Sequence, residues 1–217
     1  MEVVVKTRLM MFVAIASLLL AMPASAQVLY ENGPINGTVD AWTINFGFAV
    51  SDTFTLTGPS TVTAIQFGAW EYPGDVLESV EVQFTQFEFG GTTYFNQVVS
   101  LTASGCSQNQ YGYDVCTETG TFSGAGLAAG TYWMTLQNAV VNDGDPVYWD
   151  ENSGIGCHSE GCPSEPSQNS EGTIAAEAFS VLGTTGTGSG TVPEPGSLML
   201  FSSGVLALAG MLRRKLF

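Results

Sequence analysis

Apolar and polar residues alternate along the middle of the chain with the two-residue period of β-strands. The alternation is clearest in residues 61–67, 79–84 and 131–136, which are rich in Thr, Val, Phe and Tyr. These residue types suit a pleated, half-buried surface. No window of helical length sustains a period of 3.6 residues. The pattern therefore predicts an all-β domain of about eight to ten short strands.

Turn signals containing Gly, Pro and Asp separate the predicted strands, and this spacing indicates an antiparallel β-sandwich of jelly-roll or immunoglobulin-like type. The parity of the apolar positions changes after Phe84, so we expect a bulge at Thr85 and Gln86. The last strand is predicted over residues 174–182. A Gly/Thr/Ser-rich tract at 183–192 follows and predicts a flexible linker, so the domain covers residues 27–182.

The N-terminus has the pattern of a secretory signal peptide. Positive charges at Lys6 and Arg8 precede an apolar run over residues 9–22, and small residues occupy 24–26. We therefore expect residues 1–26 to be removed by cleavage after Ala26.

The C-terminus contains a second apolar segment, at residues 197–212, that carries no charge. As a helix it would rise roughly 24 Å, slightly less than the ~30 Å hydrocarbon core of a bilayer. We expect a single transmembrane helix whose basic end stays in the cytoplasm, namely Arg213, Arg214 and Lys215. The prolines before the helix hold an extended peptide suited to a protease, formed by Val192, Pro193, Glu194 and Pro195.

This C-terminal segment, residues 193–217, resembles the PEP-CTERM sorting signal of Gram-negative bacteria: a Pro-Glu-Pro triplet, a transmembrane helix and a short Arg-rich tail. The resemblance implies a membrane-anchored precursor that an exosortase recognises and cleaves, with delivery to the cell surface or outside the cell. It also implies a bacterium that makes exopolysaccharide, which is then a candidate partner. The same class of tail occurs on some ice-binding proteins, and the tail does not distinguish ice, glycan or protein as the ligand.

The charge distribution excludes several classes of partner. Of the 20 acidic residues, all but Glu2 and Glu194 lie between Gln27 and Val192, and that region contains no Lys or Arg. Such a domain cannot neutralise phosphates, so nucleic acids and anionic membrane surfaces are excluded as direct partners. Its carboxylates must be hydrated, spread apart or bridged by a cation.

The four cysteines predict disulfide bonds, because an even number in an exported chain is typical of oxidised pairs. Three connectivities are possible, and we favour the local pairs Cys106–Cys116 and Cys157–Cys162. The alternative is a zinc site that uses the only histidine, His158, together with the cysteines. The spacing is not that of a zinc knuckle or ribbon.

Two ligand sites are candidates. Oxygen ligands for Ca²⁺ crowd a turn-rich segment, at Asp143, Asp145, Asp150 and Glu151, and the alternative is an Asx-turn with hydrated carboxylates. Aromatic platforms for a glycan occur near turns, at Trp70, Tyr72, Tyr148 and Trp149, and the alternative is that these rings pack in the core.

Catalysis is disfavoured by composition. One histidine, no Lys or Arg and no free thiol remove most nucleophilic and phosphoryl-transfer schemes. We therefore predict an exported structural, adhesive or glycan-binding protein that is not an enzyme. The alternative is a glycan hydrolase with a carboxylate pair, although no two acidic residues are singled out by the sequence.

Overall fold

A computed structural model describes residues 26–152 and 167–186. These residues form twelve strands and no helix, which confirms an all-β antiparallel architecture. The strands are β1 (Gln27–Asn32), β2 (Ala41–Thr43), β3 (Ala49–Leu56), β4 (Ser60–Glu71), β5 (Leu77–Phe87), β6 (Gly90–Gln108), β7 (Asp114–Leu127), β8 (Gly130–Val141), β9 (Tyr148–Asp150), β10 (Ser167–Gln168), β11 (Gly172–Thr173) and β12 (Phe179–Thr185). The finer assignment to a jelly-roll or immunoglobulin-like sandwich remains a prediction.

The strands follow one hydrogen-bonded path, β1-β12-β4-β7-β6-β5-β8-β3-β10-β11; outside this path, β9 pairs with β4, and β2 pairs with β9. Strand β6 connects two parts of this path. Its residues 90–100 pair with β5, and residues 101–108 pair with β7. One long strand therefore belongs to both parts.

Large aromatic rings from both parts of the sheet form a continuous buried core. Tyr30 of β1 lies 6.3 Å from Phe54 of β3, and Phe84 of β5 lies 6.1 Å from Phe122 of β7, measured between ring centroids. Phe54 and Phe84 are fully buried. Burial of such side chains typically contributes about 1.5–3 kcal/mol each.

The ladder between β5 and β6 is irregular where the bulge was predicted, but the register places the extra residues in β6, opposite Thr85, rather than in β5. The register of β5 against β6 shifts on both sides of Thr85. The Thr85 hydroxyl donates to the Phe87 carbonyl oxygen over 2.8 Å, which stabilises the irregular backbone before the turn. The alternation of buried and exposed residues breaks here, because Thr85 is buried directly next to the buried Phe84.

Strand β12 is longer at its C-terminal end than the sequence pattern predicts. It begins at Phe179 rather than at residue 174 and continues to Thr185, three residues into the predicted linker. Gly183, Thr184 and Thr185 pair with β4. These small and hydroxyl-bearing residues form a strand because the backbone of β4 pairs with them. The local composition does not indicate such a partner.

The buried carboxylate of Asp52 accepts hydrogen bonds from amide groups. Asp52 Oδ2 accepts hydrogen bonds from Asn32 Nδ2 over 3.1 Å and from the Glu177 backbone N over 2.9 Å. Asp52 Oδ1 accepts from the Thr53 backbone N over 2.7 Å. These bonds connect β1 and β3 to the segment before β12 in a region without Lys or Arg.

Several sequence predictions concern residues outside the described ranges. They are the signal peptide up to residue 25, the Cys157–Cys162 pair, the zinc alternative with His158, and the sorting segment with its helix at 197–212. Among the residues that are described, no helix is long and apolar enough to cross a membrane.

Candidate functional site

A tight turn between β6 and β7 carries two tyrosines to the surface. Asn109 Oδ1 accepts hydrogen bonds from the backbone N atoms of Tyr111 and Tyr113, over 3.0 and 3.1 Å. Gly112 has φ 89°, a conformation that favours glycine. At the base of the turn the predicted Cys106–Cys116 disulfide is present. The turn is thus shaped by its own sequence and closed by a covalent bond.

The tip of this turn is attached to the loop between β1 and β2. Asn109 Nδ2 donates to the Gly37 carbonyl oxygen and Gln110 Nε2 to that of Thr38, over 3.3 and 3.1 Å. The Tyr111 hydroxyl donates to the Val39 carbonyl oxygen over 3.4 Å. These contacts place the tyrosines beside the C-terminal end of β4.

Five aromatic rings meet at this point, and we call them the aromatic cluster: Trp70, Tyr72, Tyr111, Tyr113 and Tyr148. The Trp70 ring stacks on Tyr111 with centroids 5.6 Å apart and an interplanar angle of 24°. Tyr113 lies 5.0 Å from Tyr72 and 5.6 Å from Tyr148. Tyr111 and Tyr72 are the exposed members, at 58% and 38%, whereas Trp70 is 4% exposed.

Asp150 fixes the position of the Trp70 ring through a buried hydrogen bond. Its Oδ1 accepts from Trp70 Nε1 over 2.7 Å, and its Oδ2 accepts from the backbone N atoms of Asn36 and Gly37 over 3.0 and 3.1 Å. Desolvation raises the pKa of the Asp150 carboxyl, and these three donors oppose the increase. The buried acid is therefore a structural support for the aromatic cluster.

A small pocket opens beside the aromatic cluster. Its volume is about 120 Å³, and its lining residues are Asp40, Ala41, Trp70, Tyr113 and Tyr148. The Asp40 side chain is exposed at this pocket. Burial raises the pKa of Tyr148, and a hydrogen bond with Tyr72 raises that of Tyr113, so both phenols stay neutral. The pocket thus offers ring faces, neutral hydroxyls and one carboxylate.

The structure brings together three of the four residues predicted to bind a glycan. Trp70, Tyr72 and Tyr148 belong to the aromatic cluster, but Trp149 does not. Trp149 is fully buried, its centroid lies 6.2 Å from Phe67 and 5.6 Å from Phe179, and its Nε1 donates to the Ala178 carbonyl oxygen. It has no exposed face for a sugar, because adjacent residues of a strand point to opposite sides of the sheet.

Sequence reasoning missed Asp40 and Ala41 as pocket residues, and no local signal identifies them. Tyr111 and Tyr113 also lie near a turn, between Cys106 and Cys116, and the reasoning that selected Trp70 and Tyr72 includes them.

The predicted calcium residues separate into two places. Asp143 and Asp145 lie in the turn between β8 and β9 and meet Asp75, with carboxylate oxygens within 4.8 Å of one another. Asp150 instead supports Trp70, and Glu151 Oε1 accepts from Trp42 Nε1 over 2.8 Å. These last two are engaged elsewhere because β9 carries them away from the turn, so the four predicted residues do not form one site.

Asp75 is the added member of this acidic group, and the turn at Pro73-Gly74-Asp75 is the signal that could have suggested it. Asp75 Oδ2 is buried and accepts no hydrogen bond. Desolvation, together with the neighbouring Asp143, raises the pKa of Asp75 to about 6. Three carboxylates from two loops at this separation repel one another unless a proton or a cation lies between them.

A second group of acidic residues, Glu71 and Glu118, lies inside the domain. The carboxyl oxygens of Glu71 and Glu118 and the sulfur of Cys116 lie within 4.8 Å of one another. Glu71 Oε2 accepts from the Leu77 backbone N over 3.1 Å, and both glutamates are almost completely buried. Desolvation, with the charge of Glu71, raises the pKa of Glu118 to about 8. This pair is enclosed by protein and offers no surface to a polysaccharide.

One family model matches the chain, the PEP-CTERM protein-sorting motif, at residues 191–215. No curated protein matches the chain. The matched segment lies outside the described residues and covers the Pro-Glu-Pro triplet, the apolar segment and the basic cluster. The chain therefore carries a PEP-CTERM sorting motif, which makes it an exported protein with a membrane-anchored precursor that an exosortase processes.

Proposed function

We propose that the exported domain is a non-enzymatic surface or matrix protein that binds a glycan at the aromatic cluster. The observation that carries this proposal is the pocket in which ring faces, neutral phenols and the Asp40 carboxylate meet at the surface. Aromatic faces pack against the C–H surfaces of sugars, while hydroxyls and carboxylates form hydrogen bonds with sugar hydroxyls. A glycan without strong negative charge is the suitable class, because the domain has no Lys or Arg to receive an anion.

The sorting motif supports the cellular context of this proposal. In a Gram-negative cell, the Arg-rich end would stay in the cytoplasm and the β-sandwich domain would face outward until cleavage near Pro193-Glu194-Pro195. Release would place the domain at the cell surface or in the exopolysaccharide matrix. The polysaccharide made by the same cell is the ligand that it would meet there.

We expect Tyr72→Ala to weaken binding of that exopolysaccharide about tenfold, because the substitution removes an exposed ring face. Tyr72→Phe keeps the ring and is expected to bind nearly as well as the wild type. The measurement is affinity electrophoresis of the processed protein in gels that contain the purified polysaccharide. The control is Phe87→Ala, since Phe87 is 59% exposed and lies at the end of β5, outside the cluster. Equal retardation of Tyr72→Ala and wild type would contradict the assignment.

For the alternative of a glycan hydrolase, Glu71 and Glu118 form a close carboxyl pair among the described residues, but both are buried. A retaining or inverting glycosidase needs both groups at the scissile bond. We therefore keep the proposal of a binding protein. Release of reducing ends from the polysaccharide during long incubation would favour the enzyme instead.

We also propose that Ca²⁺ binds between Asp75, Asp143 and Asp145. The unpaired, buried Oδ2 of Asp75 and the proximity of the three carboxylates support this second role. Weak binding is expected, in the range of about 10⁻⁴ to 10⁻³ M that is usual for extracellular modules. The ion would join the β4–β5 and β8–β9 turns, which are already connected by a hydrogen bond from the Val76 backbone N to Asn142 Oδ1.

Calorimetric titration is expected to give binding heat and an increased melting temperature with Ca²⁺. Both effects should be absent in Asp143→Asn and retained in the control Glu88→Gln, a substitution at an exposed residue of the β5–β6 turn. Affinity should decrease below about pH 6, because protonation of Asp75 competes with the ion. Identical heats for wild type and Asp143→Asn would remove this site.

A further inference from the structure

Strand β6 leaves one side of its backbone unpaired along each half. Residues 90–100 have β5 on one side, and residues 101–108 have β7 on the other. Within the described ranges, no strand occupies the remaining side of either half. Alternate residues of an edge strand direct backbone N–H and C=O groups outward, where another strand can bind them.

Apart from the irregular pairing opposite Thr85 and between Ser104 and Ser107, this strand lacks the features that normally protect a sheet edge. Its 19 residues include no Asp, Glu, Lys, Arg or Pro. Edge strands of soluble proteins are usually short, charged, interrupted by proline or covered. The other ends of the path conform to this rule, because β1 carries Glu31 and β11 has only two residues.

Residues 92–100 combine high β-propensity with an absence of charge, and we call them the β6 edge. Their sequence, TTYFNQVVS, has the composition of segments that pair with copies of themselves. Val98 is 69% exposed and Tyr94 is 45% exposed. Apolar surface therefore accompanies the unpaired backbone.

Gln97 occupies a position on the edge strand where a charged side chain would prevent pairing with another strand. It has the same parity as the buried residues Phe95 and Val99 but is itself exposed. An inward-pointing charged side chain at such a position is one way in which proteins prevent edge-to-edge pairing. Glutamine lacks the charge and supplies hydrogen-bonding groups instead.

We propose that the β6 edge pairs antiparallel with the β6 edge of a second copy of this chain. The charge distribution selects this occupant: the domain carries acidic residues but no Lys or Arg, so two copies repel except where the surface is uncharged. Identical strands related by a two-fold axis satisfy each other's backbone groups reciprocally. The pairing continues the β3-β8-β5-β6 part of the sheet into the second copy and links copies without using the aromatic cluster.

The test compares Gln97→Glu with wild type by sedimentation equilibrium of the processed protein purified from an exosortase-bearing host. Gln97 pairs with Val82, so the new carboxylate opposes no acidic residue within its own domain. In the dimer, two such carboxylates face each other near the two-fold axis, and we expect the dissociation constant to increase about tenfold. Added salt should tighten wild-type association and restore part of the loss in the variant.

The control is Gln86→Glu, an equal change of charge at an exposed residue of β5, and it is expected to associate like the wild type. Hydrogen exchange supplies a second readout, in which peptides covering 92–100 gain protection as protein concentration increases. Circular dichroism melting checks that both variants fold. A wild type that stays monomeric at high concentration, an equal loss in both variants, or protection elsewhere than in the β6 edge would overturn the proposal.

Discussion

Replacement of Pro193, Glu194 and Pro195 by alanine is expected to leave the precursor uncleaved in the inner membrane. The triplet is part of the matched sorting motif. We expect its prolines to disfavour a helical conformation, so that the peptide is accessible to the protease. In an exosortase-bearing host, we expect complete processing of the wild type and essentially none of the triple variant. Fractionation followed by intact-mass measurement distinguishes the two outcomes.

A matched control changes Thr187 and Ser189 to alanine, upstream of the motif, and should be processed normally. Trypsin gives an independent readout, because Lys and Arg occur only near the two ends of the full chain. A processed chain contains no tryptic site even when denatured and reduced, whereas an uncleaved precursor loses its C-terminal end. Release of the triple variant at wild-type efficiency would show that cleavage does not depend on the triplet.

The domain is expected to lose stability as the pH increases from about 4.5 to about 8, and Glu118 is one cause of the loss. In the folded state the pKa of Glu118 is raised to about 8 from an ordinary value of 4.5, because the side chain is desolvated beside Glu71. Between these values the folded protein retains a proton that the unfolded chain has released. The free energy of unfolding therefore falls with pH, by about 1.4 kcal/mol per unit for this one group.

Urea unfolding at about pH 5.5 and about pH 8.5 measures this dependence. Glu118→Gln keeps the shape but removes the titrating group, so the variant should be more stable than wild type at the higher pH and show a flatter profile. The exposed control Glu78→Gln should keep the wild-type slope. Burial also raises the pKa of Glu177, so some dependence should remain in the Glu118 variant. A wild type whose stability increases over this interval would contradict the assignment.

Strand periodicity identified the main strands and the position of the irregular pairing near Thr85, because both depend on local alternation between the two faces of a sheet, but it did not show that the extra residues lie in β6. The local disulfide Cys106–Cys116 was likewise predicted from its position at the base of a polar turn. The end of β12 was misplaced, since Gly183 to Thr185 become a strand only by pairing with β4. Local composition contains no information about such a partner.

Candidate sites were predictable only in part. Tyr148 and Trp149 are neighbours in the sequence, yet one lines the pocket and the other is in the core. Asp143 and Asp150 look alike as acids near one turn, but Asp143 meets Asp75 and Asp150 supports Trp70. Which side of a sheet a residue faces depends on register, and register depends on strands far away in the chain.

The sequence by itself determined where the protein is sent and what charge its domain carries, because sorting motifs are linear and charge is a matter of composition. It also determined the all-β class, since periodicity is local. Only the tertiary structure decided that Trp70, Tyr72, Tyr113 and Tyr148 share one surface, that Glu71 and Glu118 share one enclosed space, and that β6 has an unpaired edge. Each of these features depends on residues that are distant in the chain. Strand pairing and burial bring such residues together, and local sequence does not show which ones will meet.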